Sequence, residues 1–372
     1  MLKKKRTSIL YGLAAAGILL AIIFWATGAI NLSGWSLTLF FIFLALAFRG
    51  SKLLKGLAFT LSIFAAVTVA MFHPEYFLQW GNLKLSNLII PLIQVIMFGM
   101  GTSMSIMDFA GVVKSPKGVA IGVASQFIIM PVLGFTLASV TNFPPEIAAG
   151  IILIGCSPSG LASNVMAYLA KANLALSITI TSITTLMAPL ITPVLMKLFA
   201  GELIEIDVMK MMWDISKMII IPIGAGLIFN KLLSGKSKWL DDAMPMVSMV
   251  SIALIITIIT AAGRESLLKI GPLLIVVAFI HNTFGYLLGY WSGRLFKMPE
   301  RDCRTIAIEV GMQNAGLASG IAKEMGKIAT VGLAAAVFGP LMNITGSALA
   351  SWWHNRLPDG LKEGKEVVLG EV

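Results

Sequence analysis

Twelve apolar stretches of near membrane-crossing length run through this chain, at about 8–30, 33–49, 52–73, 86–105, 117–139, 145–169, 174–199, 210–232, 243–262, 270–294, 303–324 and 327–353. Roughly 20 apolar residues are needed to cross the hydrocarbon core as a helix. Backbone there must satisfy its own hydrogen bonds, which leaves helices or closed barrels, and stretches of this length select helices. Of 372 residues, 57% are hydrophobic and only 12% charged, against roughly a quarter charged in soluble domains. A soluble enzyme, a disordered binder and a nucleic-acid-binding domain are therefore excluded despite the net charge of +10. The expectation is an all-α polytopic membrane protein. The basic start, Met1 to Arg6, leads into an apolar run too long for a signal-peptide core, so it is read as a retained helix.

The basic charge has a simpler use than nucleic acid. With the spans placed as above, 20 of the 28 Lys and Arg residues fall on one side, clustering at Lys3 to Arg6, at Arg49, Lys52 and Lys55, and from Arg294 to Arg304. Positive loops face the cytoplasm, so both termini are expected there, with the protein in the cell (inner) membrane. Cys156 and Cys303 are the only cysteines, too few for a disulfide framework or a zinc site. His73, His281 and His354 are scattered without metal-ligand spacing, and Gly235-Lys236-Ser237 lacks the upstream glycine of a phosphate loop.

The chain also resembles itself. Gly160-Leu161-Ala162-Ser163 returns as Gly316-Leu317-Ala318-Ser319, Phe143-Pro144-Pro145-Glu146 is echoed by Met298-Pro299-Glu300, and Ala188-Pro189-Leu190 by Gly339-Pro340-Leu341. These matches divide the chain into an accessory hairpin (1–50), a five-span unit (51–200), a second five-span unit (209–353) and a cytoplasmic tail (354–372). An odd number of spans per unit inserts the second copy upside down, the inverted repeat of secondary transporters.

Of 18 acidic residues, only Glu309 falls inside a span. A carboxylate at that depth costs several kcal/mol, and no Lys or Arg lies at matching depth to pair it, so it must be protonated, coordinated or held by a neighbouring helix. Around it, Gly311, Gln313 and Asn314 are poor for a continuous helix, and the equivalent stretch of the first unit, Gly155 to Gly160, contains Pro158, which lacks a donor. Both helices are expected to break near the midplane. Broken ends offer carbonyls to a cation and N–H groups to an anion. Beyond the first break, Ser163, Asn164 and the i, i+4 pair Ser177 and Thr181 add oxygens suited to a hard cation, although a lone Ser or Thr more often bonds its own helix. Gln126 is another deep amide in need of partners.

Ser163 to Ala170 with Asn173, Ser177 and Thr181, then Glu309-Val310-Gly311-Met312-Gln313-Asn314, together with Phe98-Gly99-Met100-Gly101 and Gln126 to Pro131, resemble the bile acid:sodium symporter family over about 51–353. The resemblance implies a ten-span inverted-repeat core (5+5), a panel and a core domain, and two crossing broken helices beside two Na⁺ sites. It places Ser163, Asn164, Ser177, Thr181 and Glu309 on one ion. Gln126, Glu309, Gln313 and the carbonyls of Val310 and Met312 fall on the other. The substrate it implies is a small organic anion, bile acid-like, pantoate-like or a keto acid. The downstream half-helix starts put that anion near Ser159, Asn314 and Asn343. Leu161, Met342 and Ser159 differ from residues common in the family, so the resemblance leaves the particular anion open, as it does the oligomeric state and the role of the hairpin.

The reading is thus a Na⁺-coupled symporter and not an enzyme, with Na⁺, an organic anion and the bilayer as partners. The rivals are an H⁺-coupled exporter of the arsenite or auxin-carrier type with Glu309 carrying the proton and Cys156 near the substrate, a non-transporting sensor, and an intramembrane enzyme using Glu309 as base.

Overall fold

Apolar runs that must close their own hydrogen bonds become helices wherever the sequence does not interrupt them, and the computed structural model shows fifteen α-helices among the described residues, 2–50, 57–104, 115–233 and 238–356. Lys52, Lys55, Lys114, Gly235-Lys236-Ser237, Lys362 and Lys365 lie outside them, as does the expected tail beyond residue 356. The side chains of Lys3 to Arg6 and Lys238 are likewise not described.

The chain opens with α1 (Leu2–Ala26) and α2 (Ile30–Arg49), then α3 (Leu57–Phe72), the single turn α4 (Glu75–Leu78) and α5 (Ile89–Ser103). Next come α6 (Pro116–Val140), the pair α7 (Pro145–Cys156) and α8 (Ala162–Leu169), and α9 (Leu174–Ala200). The remainder is α10 (Val208–Leu233), α11 (Lys238–Ala262), α12 (Arg264–Leu295), the pair α13 (Glu300–Gly311) and α14 (Ala315–Glu324), and α15 (Val331–His354). Nine helices among the described residues are long and apolar enough to cross a membrane. The other three expected spans take different forms: α3 has 16 described residues, and 145–169 and 303–324 are each two short helices joined by a break. The sequence windows did not anticipate a small antiparallel hairpin, Gln79–Trp80 against Leu83–Lys84, between α4 and α5.

Local chemistry explains the boundaries. Both broken helices start behind a proline in the same extended conformation, Pro144 at φ −52°, ψ 144° and Pro299 at φ −54°, ψ 150°. Glu146 and Glu300 follow in the first turn, where the helix dipole favours a negative charge. Asn173 and Asn314 cap α9 and α14 by accepting from Leu176 N and Leu317 N. The three sequence echoes fall at matching places: the start of each broken helix, the first turn beyond each break, and a buried proline within α9 and α15.

Two groups of helices result. In one, α5 lies along α10, and α11 covers α3 and α5. The α1–α2 hairpin leans on α3, with Trp35 stacked on His73 at 4.9 Å. In the other, α6, α7, α9, α12, α13 and α15 enclose the two breaks. The groups meet where α9 touches α10, where α14 touches α5 and α10, and where α15 touches α3 and α11.

The first group is drawn tight by small residues. Gly101 lies against the Ile223 carbonyl and Gly226 against the Phe98 carbonyl, so that α5 and α10 touch backbone to backbone. Gly224, on the same helix, faces open space, with nothing within 4 Å of where a methyl would stand. Gly226→Ala should therefore lower the thermal midpoint in detergent by the equivalent of about 1–3 kcal/mol of overpacking. Gly224→Ala should be neutral or slightly stabilising, as Gly to Ala is in a helix. Equal responses would contradict the close-contact reading.

Candidate functional site

The two breaks are one structure. Ser157 to Leu161 and Met312 to Asn314 run past each other as an antiparallel bridge centred on Ser159 and Gln313. Gly160 N donates to the Met312 carbonyl at 2.8 Å and Asn314 N to the Pro158 carbonyl at 2.8 Å. Each interrupted helix thus supplies the backbone partners that the other lost on breaking. Side chains satisfy other freed carbonyls: Thr192 Oγ1 donates to Cys156 O at 2.8 Å, Gln126 Nε2 to Ser157 O at 2.9 Å, Ser159 Oγ to Glu309 O at 3.1 Å, and Asn282 Nδ2 to Gly311 O at 2.8 Å.

Beside this crossing, five of the sequence-selected residues meet. Glu309 is fully buried. Ser177 Oγ donates to its Oε1 at 2.5 Å and Thr181 Oγ1 to its Oε2 at 2.7 Å. Asn164 Oδ1 lies 2.8 Å from Ser177 Oγ and 3.3 Å from Thr181 Oγ1, and Ser163 Oγ is 3.2 Å from Thr181 Oγ1. Oxygens from α8, α9 and α13 therefore surround one carboxylate.

Parallel packing of α9 on α13 sets their register. Asn173 N donates to Thr305 Oγ1 at 2.9 Å and Asn173 Nδ2 to Asp302 Oδ1 at 2.8 Å. One helical turn further along both helices, Ser177 faces Glu309. Asn173, which the sequence marks only as part of a signature, is thus the residue that aligns the cluster.

A second polar group lies at the crossing, joined to the residue after Glu309. Gln126 Nε2 donates to Gln313 Oε1 at 2.7 Å, and Gln313 Nε2 to the Val310 carbonyl at 2.6 Å. Gln126 and Gln313 are fully buried. The Met312 carbonyl, next to Gln313 in the chain, holds Gly160 N.

No described cation neutralises this region. The five ion pairs among the described residues leave Glu309 out. Arg304 is buried in α13, but its Nε pairs with Glu300 at 3.0 Å and its Nη1 serves the carbonyls of Ala170, Trp353 and Arg356. Among the described residues no group of three His, Cys, Asp or Glu gathers, so the donors here are hydroxyl, amide, carbonyl and one carboxylate, a set suited to a hard cation.

The three residues expected near the anion differ in their surroundings. Asn314 sits at the start of α14 with its Oδ1 capping Leu317 N at 3.0 Å. Asn343, half-buried on α15, donates to the Gly339 carbonyl at 3.0 Å. Ser159 is fully buried, and its hydroxyl is engaged by Glu309 O. Ser319, the counterpart of Ser163 beyond the second break, bonds back to Ala315 O in its own helix. Cys156 is wholly buried at the end of α7.

Comparison with known proteins adds an independent finding. A family profile described as Sodium Bile acid symporter family matches residues 90–270. The chain is similar to an uncharacterized sodium-dependent transporter, YocS, of Bacillus subtilis, at 40% identity over 274 residues covering 73% of this chain and 85% of the relative. It is also similar to the probable chloroplastic sodium/metabolite cotransporter BASS1 of Arabidopsis thaliana, at 28% identity over 82% of this chain and 75% of the relative. The rice protein BASS2, named in the same way, is 33% identical over 70% of this chain and 62% of its own length.

The crossing tests itself through a pair of glycines. A methyl at Gly160 would stand 2.6 Å from the Gln313 carbonyl, whereas at Gly316 the nearest atom is the Asn314 side-chain oxygen at 3.5 Å. Gly160→Ala should push the breaks apart, lowering the thermal midpoint and weakening any cation-dependent stabilisation. Gly316→Ala should leave both near wild type, and the reverse ranking would contradict the geometry.

Proposed function

Because this chain belongs to the sodium bile acid symporter family and is a sodium-dependent transporter rather than an enzyme, we propose that it couples entry of two Na⁺ ions to uptake of a small organic anion by alternating access. The observation that carries the reading is Glu309, fully buried, held by hydroxyls of another helix and without an ion pair among the described residues. Such a carboxylate is far cheaper beside a cation than alone.

One ion would sit among Ser163, Asn164, Ser177, Thr181 and Glu309. The other would use Gln126, Gln313, Glu309 and the carbonyls of Val310 and Met312, with the Gln313 carboxamide turning its oxygen to the ion in place of its present donation to Val310. Two Na⁺ against one carboxylate leave a net charge of +1 at the crossing, enough to bind one substrate carboxylate at the positive start of α14, beside Asn314 and with Asn343 nearby. Ser159 would act from behind, fixing the Glu309 carbonyl. Ions that draw the crossing together would thereby finish the anion site, which gives coupling a physical cause.

In this reading α3, α5, α10 and α11 form the panel, and α6 to α9 with α12 to α15 form the core that moves against it. The units 51–200 and 209–353 are inverted copies, supported by the antiparallel bridge at their breaks. The hairpin at 1–50 is an accessory of the panel. The excess of Lys and Arg puts both termini in the cytoplasm and the protein in the cell membrane. The names of the relatives favour sodium over the proton-coupled exporter.

Thermal unfolding of purified protein tests the proposal. Na⁺ should raise the midpoint by binding the folded state, about 2.7 kcal/mol of stabilisation at a hundredfold excess over Kd, and K⁺ should not. Glu309→Ala should abolish most of the shift, while Ser177→Ala should leave a residual response from the second site. An organic acid should add a further, Na⁺-dependent shift. Equal shifts with Na⁺ and K⁺, or stabilisation only by neutral or cationic compounds, would overturn it.

A further inference from the structure

A groove of about 950 Å³ opens between the C-terminal halves of α12 and α15, its inner end at Tyr286 and Thr345 near the second break and its outer end at Arg294 and Arg356. On α12 the face carrying Gly285 and Gly289 packs against α13, and the groove lies beside that contact, floored by Glu300 and Arg304 of α13 and walled toward the outside by Leu287, Trp291, Leu349 and Trp352. Leu287, Trp291 and Trp352 are exposed there. In a membrane protein an exposed apolar wall of this kind faces hydrocarbon, and Trp marks the level of the headgroups.

One end of the groove is charged. Arg294, Arg304 and Arg356 gather there against a single acid, Glu300. That acid is already shared by Arg304 Nε at 3.0 Å, Arg294 Nη1 at 3.5 Å and the Tyr290 hydroxyl at 2.7 Å. The Arg356 guanidinium lies over the Trp352 ring, 4.2 Å from its centroid, and makes no ion pair among the described residues. The mouth therefore keeps an excess of about two positive charges, on the side of the protein that holds most of the Lys and Arg.

We propose that this groove is a binding site for an anionic phospholipid of the leaflet on the Lys- and Arg-rich side, its phosphate held by Arg294 and Arg356 and its acyl chains lying along Leu287, Trp291 and Leu349. Charge complementarity selects an anion, and walls that open sideways to hydrocarbon select a lipid over a soluble phosphate. Basic clefts between transmembrane helices at the cytoplasmic surface hold such headgroups in general. The orientation rests on the function proposed above, but the binding does not require Na⁺, so the two readings fail separately.

Full-length protein in neutral detergent is titrated with dioleoyl phosphatidylglycerol, dioleoyl phosphatidylcholine or inorganic phosphate, and thermal unfolding is followed. Phosphatidylglycerol should raise the midpoint saturably, by several degrees, and the other two should not at equal concentration. The double variant Arg294→Gln/Arg356→Gln should need roughly thirtyfold more phosphatidylglycerol for half the effect, yet respond to Na⁺ as the wild type does. Lys231→Gln, a surface charge on the other helix group, should behave as wild type toward the lipid. If the double variant does not fold, Arg356→Gln alone repeats the comparison with a smaller expected loss. Equal stabilisation by phosphatidylcholine, reproduction of the shift by phosphate, or an unchanged lipid response in the arginine variants would overturn the proposal.

Discussion

A carboxylate buried in an apolar bundle must be met by charge or by hydrogen bonds, and the arrangement around Glu309 is organised by that requirement. Ser177 and Thr181 can reach it because α9 lies parallel to α13 in a register held by Asn173, Asp302 and Thr305. Asn164 and Ser163 can join because α8 begins at the break rather than continuing α7. The buried arginine that could have neutralised it, Arg304, is instead committed to Glu300 and three carbonyls. The site is left electrostatically incomplete in a way that a small cation would complete.

The second constraint is that broken helices in hydrocarbon expose backbone groups, each costly if unpaired. Crossing two breaks solves this mutually through Gly160 N to Met312 O and Asn314 N to Pro158 O. Asn282, Gln126 and Thr192 secure carbonyls at the ends of the upstream halves. Both proposed ion sites would then depend on the relative position of the two helices, since Glu309, Val310 and Met312 stand on one and Ser163 and Asn164 just past the other. A shift in either break would change both proposed ion sites and the start of α14 together.

Much of this was legible in the sequence because the signals are local. Hydropathy marks the long helices, and a deep acid with glycines and amides around it marks the second break. The polar start of α13, Glu300 to Arg304, dilutes the hydropathy of that segment, and it was the echo of Pro144-Pro145-Glu146 in Pro299-Glu300 that paired it with the first unit. Proline alone was not informative: Pro131, Pro189, Pro193, Pro222, Pro245, Pro272 and Pro340 all lie inside helices that continue. Pro158 differs because a second broken segment receives the backbone it frees. What the sequence hid is non-local. The ties of Asn173 to Asp302, Asn282 to Gly311 and Ser159 to Glu309 join residues that no periodicity relates. Ser159 shows the difference: its place at a helix break suggests a substrate donor, and the fold engages it inside the crossing.

If Glu309 serves two ions, both bind the same chain at saturation. Equilibrium dialysis of purified protein against radioactive sodium counts them directly. A carboxylate shared by two ions requires two Na⁺ per chain at saturation in the wild type and one in Gln126→Ala, which removes an oxygen from the second site while leaving the Ser163, Asn164, Ser177 and Thr181 oxygens in place. A single ion in the wild type, or two still bound by Gln126→Ala with unchanged affinity, would contradict it.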